Sequence, residues 1–223
     1  MIFDILKDGM EYVKTNSNEI ILYYLGILLF PYIFIESYSY HIIENCLNGM
    51  INNYEKLPGI MINAETFIKG LKLLVLKIIY YLPEILLIMF VGNMGRIDYY
   101  ILTLVLVVLT VLSYYISQIA SICMVESGSF REGFNFTRIY NVLKTVGFTY
   151  IKLIITTFII LLGICAVVAV ITGIIMLVSQ ISPALFVMLM LLVMIAYIVL
   201  VIVIVPLYVL FKNRTIVSVY NLS

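Results

Sequence analysis

The sequence predicts an all-α membrane protein with about five transmembrane helices, or four and a re-entrant segment, together with amphipathic helices lying in the membrane interface. Three observations carry that prediction. Only 11% of the 223 residues are charged against 64% hydrophobic, and the mean hydropathy is +1.17. A soluble domain carries about 25% charged residues, and one this apolar would expose large adhesive patches. The apolar runs are too long for core strands and lack an alternation of period two, which argues for helices and against a barrel. Finally, the basic residues fall on alternate connections, as they do when successive segments cross a bilayer.

The same composition removes several classes of function. A formal net charge of +1 gives no basic field for nucleic acid. Cys46, Cys123 and Cys165 are scattered without a CxxC pair, and His41 is the only histidine, so the spacing of a metal centre is missing. No Ser-His-Asp set, no paired carboxylates at catalytic spacing and no phosphate-cradling glycine loop is present. The expectation is a protein that is not an enzyme and holds no metal or cofactor.

The chain opens with "MIFDILKDGMEYVK". At about 100° per residue, Ile2, Phe3, Ile5, Leu6, Met10, Tyr12 and Val13 share one side, and Asp4, Lys7, Asp8, Glu11 and Lys14 share the other. This predicts an interfacial helix over 1–14 within an N-terminal segment 1–17, followed by one transmembrane domain over 18–223. A cleavable leader is not expected, because no basic region precedes an unbroken apolar one. "TNSN" at 15–18 is expected to end the helix and cap the next.

Five apolar segments follow, at about 20–43, 71–92, 99–125, 148–178 and 184–211. Each is long enough for a hydrocarbon layer of roughly 30 Å at about 1.5 Å per residue. Pro31 sits near the middle of the first, with Glu36 and His41 toward its end, so it is either a kinked span or a re-entrant piece. Ten of the thirteen lysines and arginines lie in 56–77, 131–152 and 212–214. The positive-inside rule makes those regions cytoplasmic and puts the C-terminus inside.

Between two of the runs lies "GSFREGFNFTRIYNVLK" at 128–144. Ser129 and Glu132 have capping-box spacing and predict a helix over about 130–145. Phe136, Ile139, Tyr140, Leu143 and Val146 share one face, opposite Arg131, Asn135, Arg138, Asn141 and Lys144. Phe130 and Phe134 form a further i,i+4 pair. Arg131, Arg138 and Lys144 are therefore candidate contacts to the inner leaflet, each worth about 1 kcal/mol near an anionic surface. "NAETFIKGLKLLVLK" repeats the plan from an Asn63 cap. The stretches 56–125 and 129–211 then read as two halves of one pattern, each a basic segment, a span, a short outer turn and a span.

"LPGIMINAETFIKGLKLLVLKIIYYLP" at 57–83 and "MVESGSFREGFNFTRI" at 124–139 carry a resemblance. Taken in this order they resemble the archaeal membrane family catalogued as domain of unknown function 4013, found mostly in methanogens. The resemblance covers nearly the whole chain. It implies an archaeal cytoplasmic membrane and supplies no catalytic residues. The chain departs from the pattern at Gly59-Ile60, where the family has an acidic pair.

Several residues are anomalous in an apolar span. Glu84 follows Pro83 inside "IIYYLPEILLIMF", and a charge near the bilayer centre costs roughly 2.5–3.5 kcal/mol. It is either a coupled carboxylate facing the bundle interior or a group held where Pro83 frees backbone. Ser113, Ser117 and Ser121, with Gln118 beside them, recur at spacing four on the third span. They are either a packing stripe or one wall of a polar path toward Glu84. Ala169 and Gly173 form a small-xxx-small pair on the fourth span and are candidates for helix packing. Tyr80-Tyr81 and Tyr114-Tyr115 lie deep enough to need hydroxyl partners, for which Glu84 and the serines are candidates. The expected function is a non-enzymatic membrane scaffold or partner-binding component. Its partners would be the lipid bilayer and another membrane protein or a second copy of the chain. The alternative is a small transporter or channel-like protein using Glu84 and the serine stripe.

Overall fold

The computed structural model describes residues 2–27, 33–48, 63–90, 96–178 and 182–223, and every regular element among them is helical. In order these are α1 (Ile2–Ile27), α2 (Ile33–Asn48), α3 (Ala64–Tyr80), α4 (Leu82–Phe90), α5 (Arg96–Ser127), a 3-10 turn (Phe130–Phe134), α6 (Phe136–Val178) and α7 (Pro183–Tyr220). Three helical segments are long and apolar enough to cross a membrane, at Tyr100–Ser127, Phe136–Ile160 and Ala184–Tyr220.

Two expected boundaries move, for local reasons. The "TNSN" stretch does not end the first helix. Thr15 Oγ1, Asn16 Nδ2 and Ser17 Oγ donate to the carbonyls of Glu11, Tyr12 and Lys14, so the polar side chains bond back into the preceding turn and α1 runs through them. Nor does Ser129 cap a helix, since its side chain makes no capping bond and the next five residues form a 3-10 turn. The cap falls on Asn135, whose Oδ1 accepts from Arg138 N at 3.1 Å. From there α6 continues unbroken for 43 residues, joining the expected interfacial helix and the fourth span. At about 1.5 Å per residue it is roughly 65 Å long, twice a hydrocarbon layer.

Other boundaries fall where the residues place them. Asn63 caps α3, with Oδ1 accepting from Thr66 N at 2.8 Å and Thr66 Oγ1 accepting from Asn63 N at 3.0 Å. The second apolar segment breaks at Tyr81, between α3 and α4, because Pro83 has no N–H to continue the ladder. Pro31 lies outside the described residues. The flanks of segment 20–43 belong to the end of α1 and to most of α2.

The core sits at one end of the bundle. It gathers α1, α2, α3, the last turns of α5, the first turns of α6 and the last turns of α7. Ile5, Gly9, Tyr12, Asn16 and Ile20 form the buried stripe of α1, and its partner is chiefly α7. Phe3 and Met10 of the expected apolar face point outward. The helices touch where a glycine allows it. A Cβ on Gly9 would lie 2.5 Å from Thr215 Cγ2, and one on Gly70 would lie 2.2 Å from the Ile33 carbonyl oxygen of α2.

Away from this end the helices are bare. From Ile155 along α6 to Val205 of α7, large apolar side chains such as Val170 (62%) and Ile195 (60%) are solvent-exposed. Among the described residues every ion pair lies in the packed end.

Candidate functional site

Three sets of polar residues meet where the packed end gives way to the bare helices. The first is Glu84. The Pro83 break puts it in the first turn of α4, where it is 4% exposed and neither carboxylate oxygen has a hydrogen-bond partner. The second is the serine stripe of α5, with Ser113, Ser117, Gln118 and Ser121 all buried. Ser117 Oγ donates to Tyr114 O at 3.0 Å and Ser121 Oγ to Ser117 O at 2.6 Å, so both hydroxyls are used within their own helix. Tyr81, at the α3–α4 junction, neighbours both Ser117 and Glu84. Tyr80 donates to Gly133 O at 2.8 Å and Tyr115 to Gly147 O at 2.9 Å, while the Tyr114 hydroxyl neighbours that of Tyr208.

The third feature is a cavity of about 280 Å³ between α5, α6 and α7, closed on one side by Tyr81. Tyr114, Tyr150 and Tyr208 line it together with Thr157, Phe158, Phe211 and Lys212. Tyr150 is fully buried and stacks on Tyr115 at 4.5 Å, and its hydroxyl has no partner. Lys212 has Lys77 and Glu36 as electrostatic neighbours. Lys77 already pairs with Glu36, so Lys212 is the member of this trio without an ion pair. Glu84 does not line the cavity. Reading the sequence missed this site. Lys212 was legible only as one more basic residue past the last apolar run, and nothing local shows that it shares a cavity with Tyr150, 62 positions earlier in the chain.

The basic face of 128–144 divides. Arg131 and Lys144 are exposed. Arg138 is engaged within the chain: its guanidinium pairs with Glu126 at the end of α5, lies 3.5 Å from Glu132, and donates to the Tyr220 hydroxyl at 3.2 Å. It ties α5, α6 and α7 together. The Phe130–Phe134 pair forms, edge to face at 5.3 Å, and Tyr80 stacks on Phe134 at 5.9 Å. Ala169 and Gly173 make no seam among the described residues. Ala169 is exposed, and a Cβ built on Gly173 meets nothing within 4 Å.

The packed end is closed by charge. Arg214, 3% exposed, bonds Asp8 through Nε at 2.9 Å and Nη2 at 3.1 Å, while Ser218 donates to the same carboxylate at 3.2 Å. The guanidinium lies over the Tyr12 ring, 5.1 Å from its centre. Burial pushes the Tyr12 phenol well above its ordinary pKa, with the Cys46 thiol as a neighbour.

No curated protein and no solved structure matches the chain. A family model described as "Protein of unknown function (DUF4013)" matches residues 20–178, from the last turns of α1 to the end of α6. The match stops short of α7 and of Asp8, so the Asp8–Arg214 contact and the Lys212 side of the cavity lie outside it. It covers more than two-thirds of the chain, and the protein belongs to the DUF4013 family.

Proposed function

We propose that this chain is a non-enzymatic, multi-pass component of the cell membrane that engages lipid and other membrane protein through its bare helices. One observation supports this most strongly. Among the described residues the ion pairs lie in a packed end, while the outer parts of α6 and α7 cover almost none of their apolar surface. A helix pair with so little covered face is stable only with hydrocarbon or another helix around it. Under the positive-inside rule the packed end, with its lysines and arginines, is cytoplasmic, as is the C-terminus. The open faces at Gly163 and Gly173 suit a close helix–helix approach from another protein or a second copy. The test is a photoreactive residue at Val170 in native membranes. Discrete protein adducts are expected, and adducts to lipid alone would overturn the partner-binding part.

Glu84 supports a second reading, as a small transporter or channel-like protein. A buried carboxylate without a hydrogen bond, reached through Tyr81 from Ser117, is the arrangement a proton or cation path would use. Reconstituted protein that carries monovalent cations or protons, and loses that flux in Glu84→Gln, would establish it. Absence of flux in the parent protein removes it.

A further inference from the structure

The cavity beside Lys212 has the properties of a lipid site, and its chemistry specifies the lipid. We infer that it holds one anionic phospholipid drawn from the surrounding membrane, with the phosphate at Lys212 and the start of one acyl chain along the aromatic wall. The inference requires only that the chain lies in a membrane, and it is independent of whether the protein is a scaffold or a transporter.

Charge supplies the first argument. Lys77 pairs with Glu36, the carboxylate that also neighbours Lys212, and among the described residues Lys212 forms no ion pair of its own. A buried ammonium that shares its one neighbouring carboxylate with a second lysine is costly, and an anion beside it lowers that cost. Donors supply the second. Tyr150 contributes to the wall, is fully buried and leaves its hydroxyl without a hydrogen bond. Tyr114 and Tyr208, whose hydroxyls neighbour each other, line the same space, and Tyr81 beside Ser117 completes it. Such groups suit the several oxygens of a phosphate diester.

Access distinguishes a lipid from a soluble anion. The cavity reaches the surface past Thr110, Val111, Phe158 and Tyr208, which are exposed and sit at the edge of the bare apolar flank. A molecule entering there comes from the side of the helices, out of hydrocarbon. The volume of about 280 Å³ is near the lower end of small-ligand sites, roughly 300–1,000 Å³. That is room for a headgroup and the first methylenes of one chain, with the remainder lying along α5 and α6.

The experiment uses the full chain in a mild non-ionic detergent. Phosphatidylglycerol and phosphatidylcholine of identical acyl chains are supplied in equal amounts, and retained lipid is counted by native mass spectrometry. The parent protein is expected to retain phosphatidylglycerol preferentially. Lys212→Gln should lower that retention about fivefold, the factor for one lost basic contact, and leave phosphatidylcholine unchanged. Lys212→Arg should keep the preference, as should Lys14→Gln, which changes an exposed lysine on α1. Thr157→Phe, which fills the cavity, should lose both lipids while retaining the parent circular dichroism spectrum. Equal retention of the two lipids, or an undiminished preference in Lys212→Gln, overturns the proposal. Displacement of phosphatidylglycerol by inorganic phosphate at equal concentration also overturns it, since the site would then belong to a soluble anion.

Discussion

Arg214 holds Asp8 by two hydrogen bonds, at 2.9 and 3.1 Å, across 206 positions of sequence. One residue lies in the last turns of α7 and the other near the start of α1, so the contact closes the packed end on itself. Breaking such a pair leaves an uncompensated buried charge, which costs about 3–5 kcal/mol. Arg214→Ala should therefore unfold far earlier in a detergent-phase thermal melt than the parent. Replacing both partners, as Asp8→Leu with Arg214→Met, should recover most of the loss, because burying an ion pair is itself expensive.

Gly70 is where α3 meets α2. Alanine is a better helix former than glycine by about 1 kcal/mol. Yet a Cβ here lies 2.2 Å from the Ile33 oxygen and 2.8 Å from Ser37 N, both backbone atoms that cannot step aside. Overpacking of that kind costs about 1–3 kcal/mol, so Gly70→Ala should lower the melting temperature. Gly163→Ala meets nothing within 4 Å and should raise it. A fall at Gly163 in native membranes alone, with a rise in detergent, would identify that face as one covered by a partner.

Tyr80 joins α3 to the 3-10 turn through its hydrogen bond to Gly133 O and its stacking on Phe134. Tyr80→Phe keeps the stacking and strands the carbonyl. The expected loss is about 1 kcal/mol, read as a shift in the denaturation midpoint. A Tyr80→Leu change should cost more, because the ring contact goes too.

Glu84 has no hydrogen bond to lose. If it is only a packed residue, Glu84→Leu removes an unsatisfied polar group and should stabilise the protein by about 1–3 kcal/mol. A large destabilisation in chemical denaturation would mean that Glu84 has a partner in the membrane.

Much of this molecule was legible in the sequence, and the pattern of success has a physical basis. The Asn63 cap, the break at Pro83 and the Phe130–Phe134 pair depend on residues a few positions apart, and all three are present. The helix through 15–18 was misread because the same Thr, Asn and Ser chemistry serves a cap or a back-bond, and here the side chains bond back into α1. Arg138 reads as a lipid contact because its face is basic; that face does not show its ion pair with Glu126 of α5 or its hydrogen bond to Tyr220, 82 positions away. The cavity with Lys212 was not legible at all, since three separate helices build it.

The central claim is that the helices cross a bilayer with the packed, basic end on one side. Single cysteines at Asn93 and at Asn141, in a chain with Cys46, Cys123 and Cys165 replaced, place it under direct test with an impermeant maleimide on sealed vesicles of known orientation. Opposite sidedness is predicted, with Asn141→Cys labelled only from the cytoplasmic face and Asn93→Cys only from the other. Labelling of both from the same face would contradict the account.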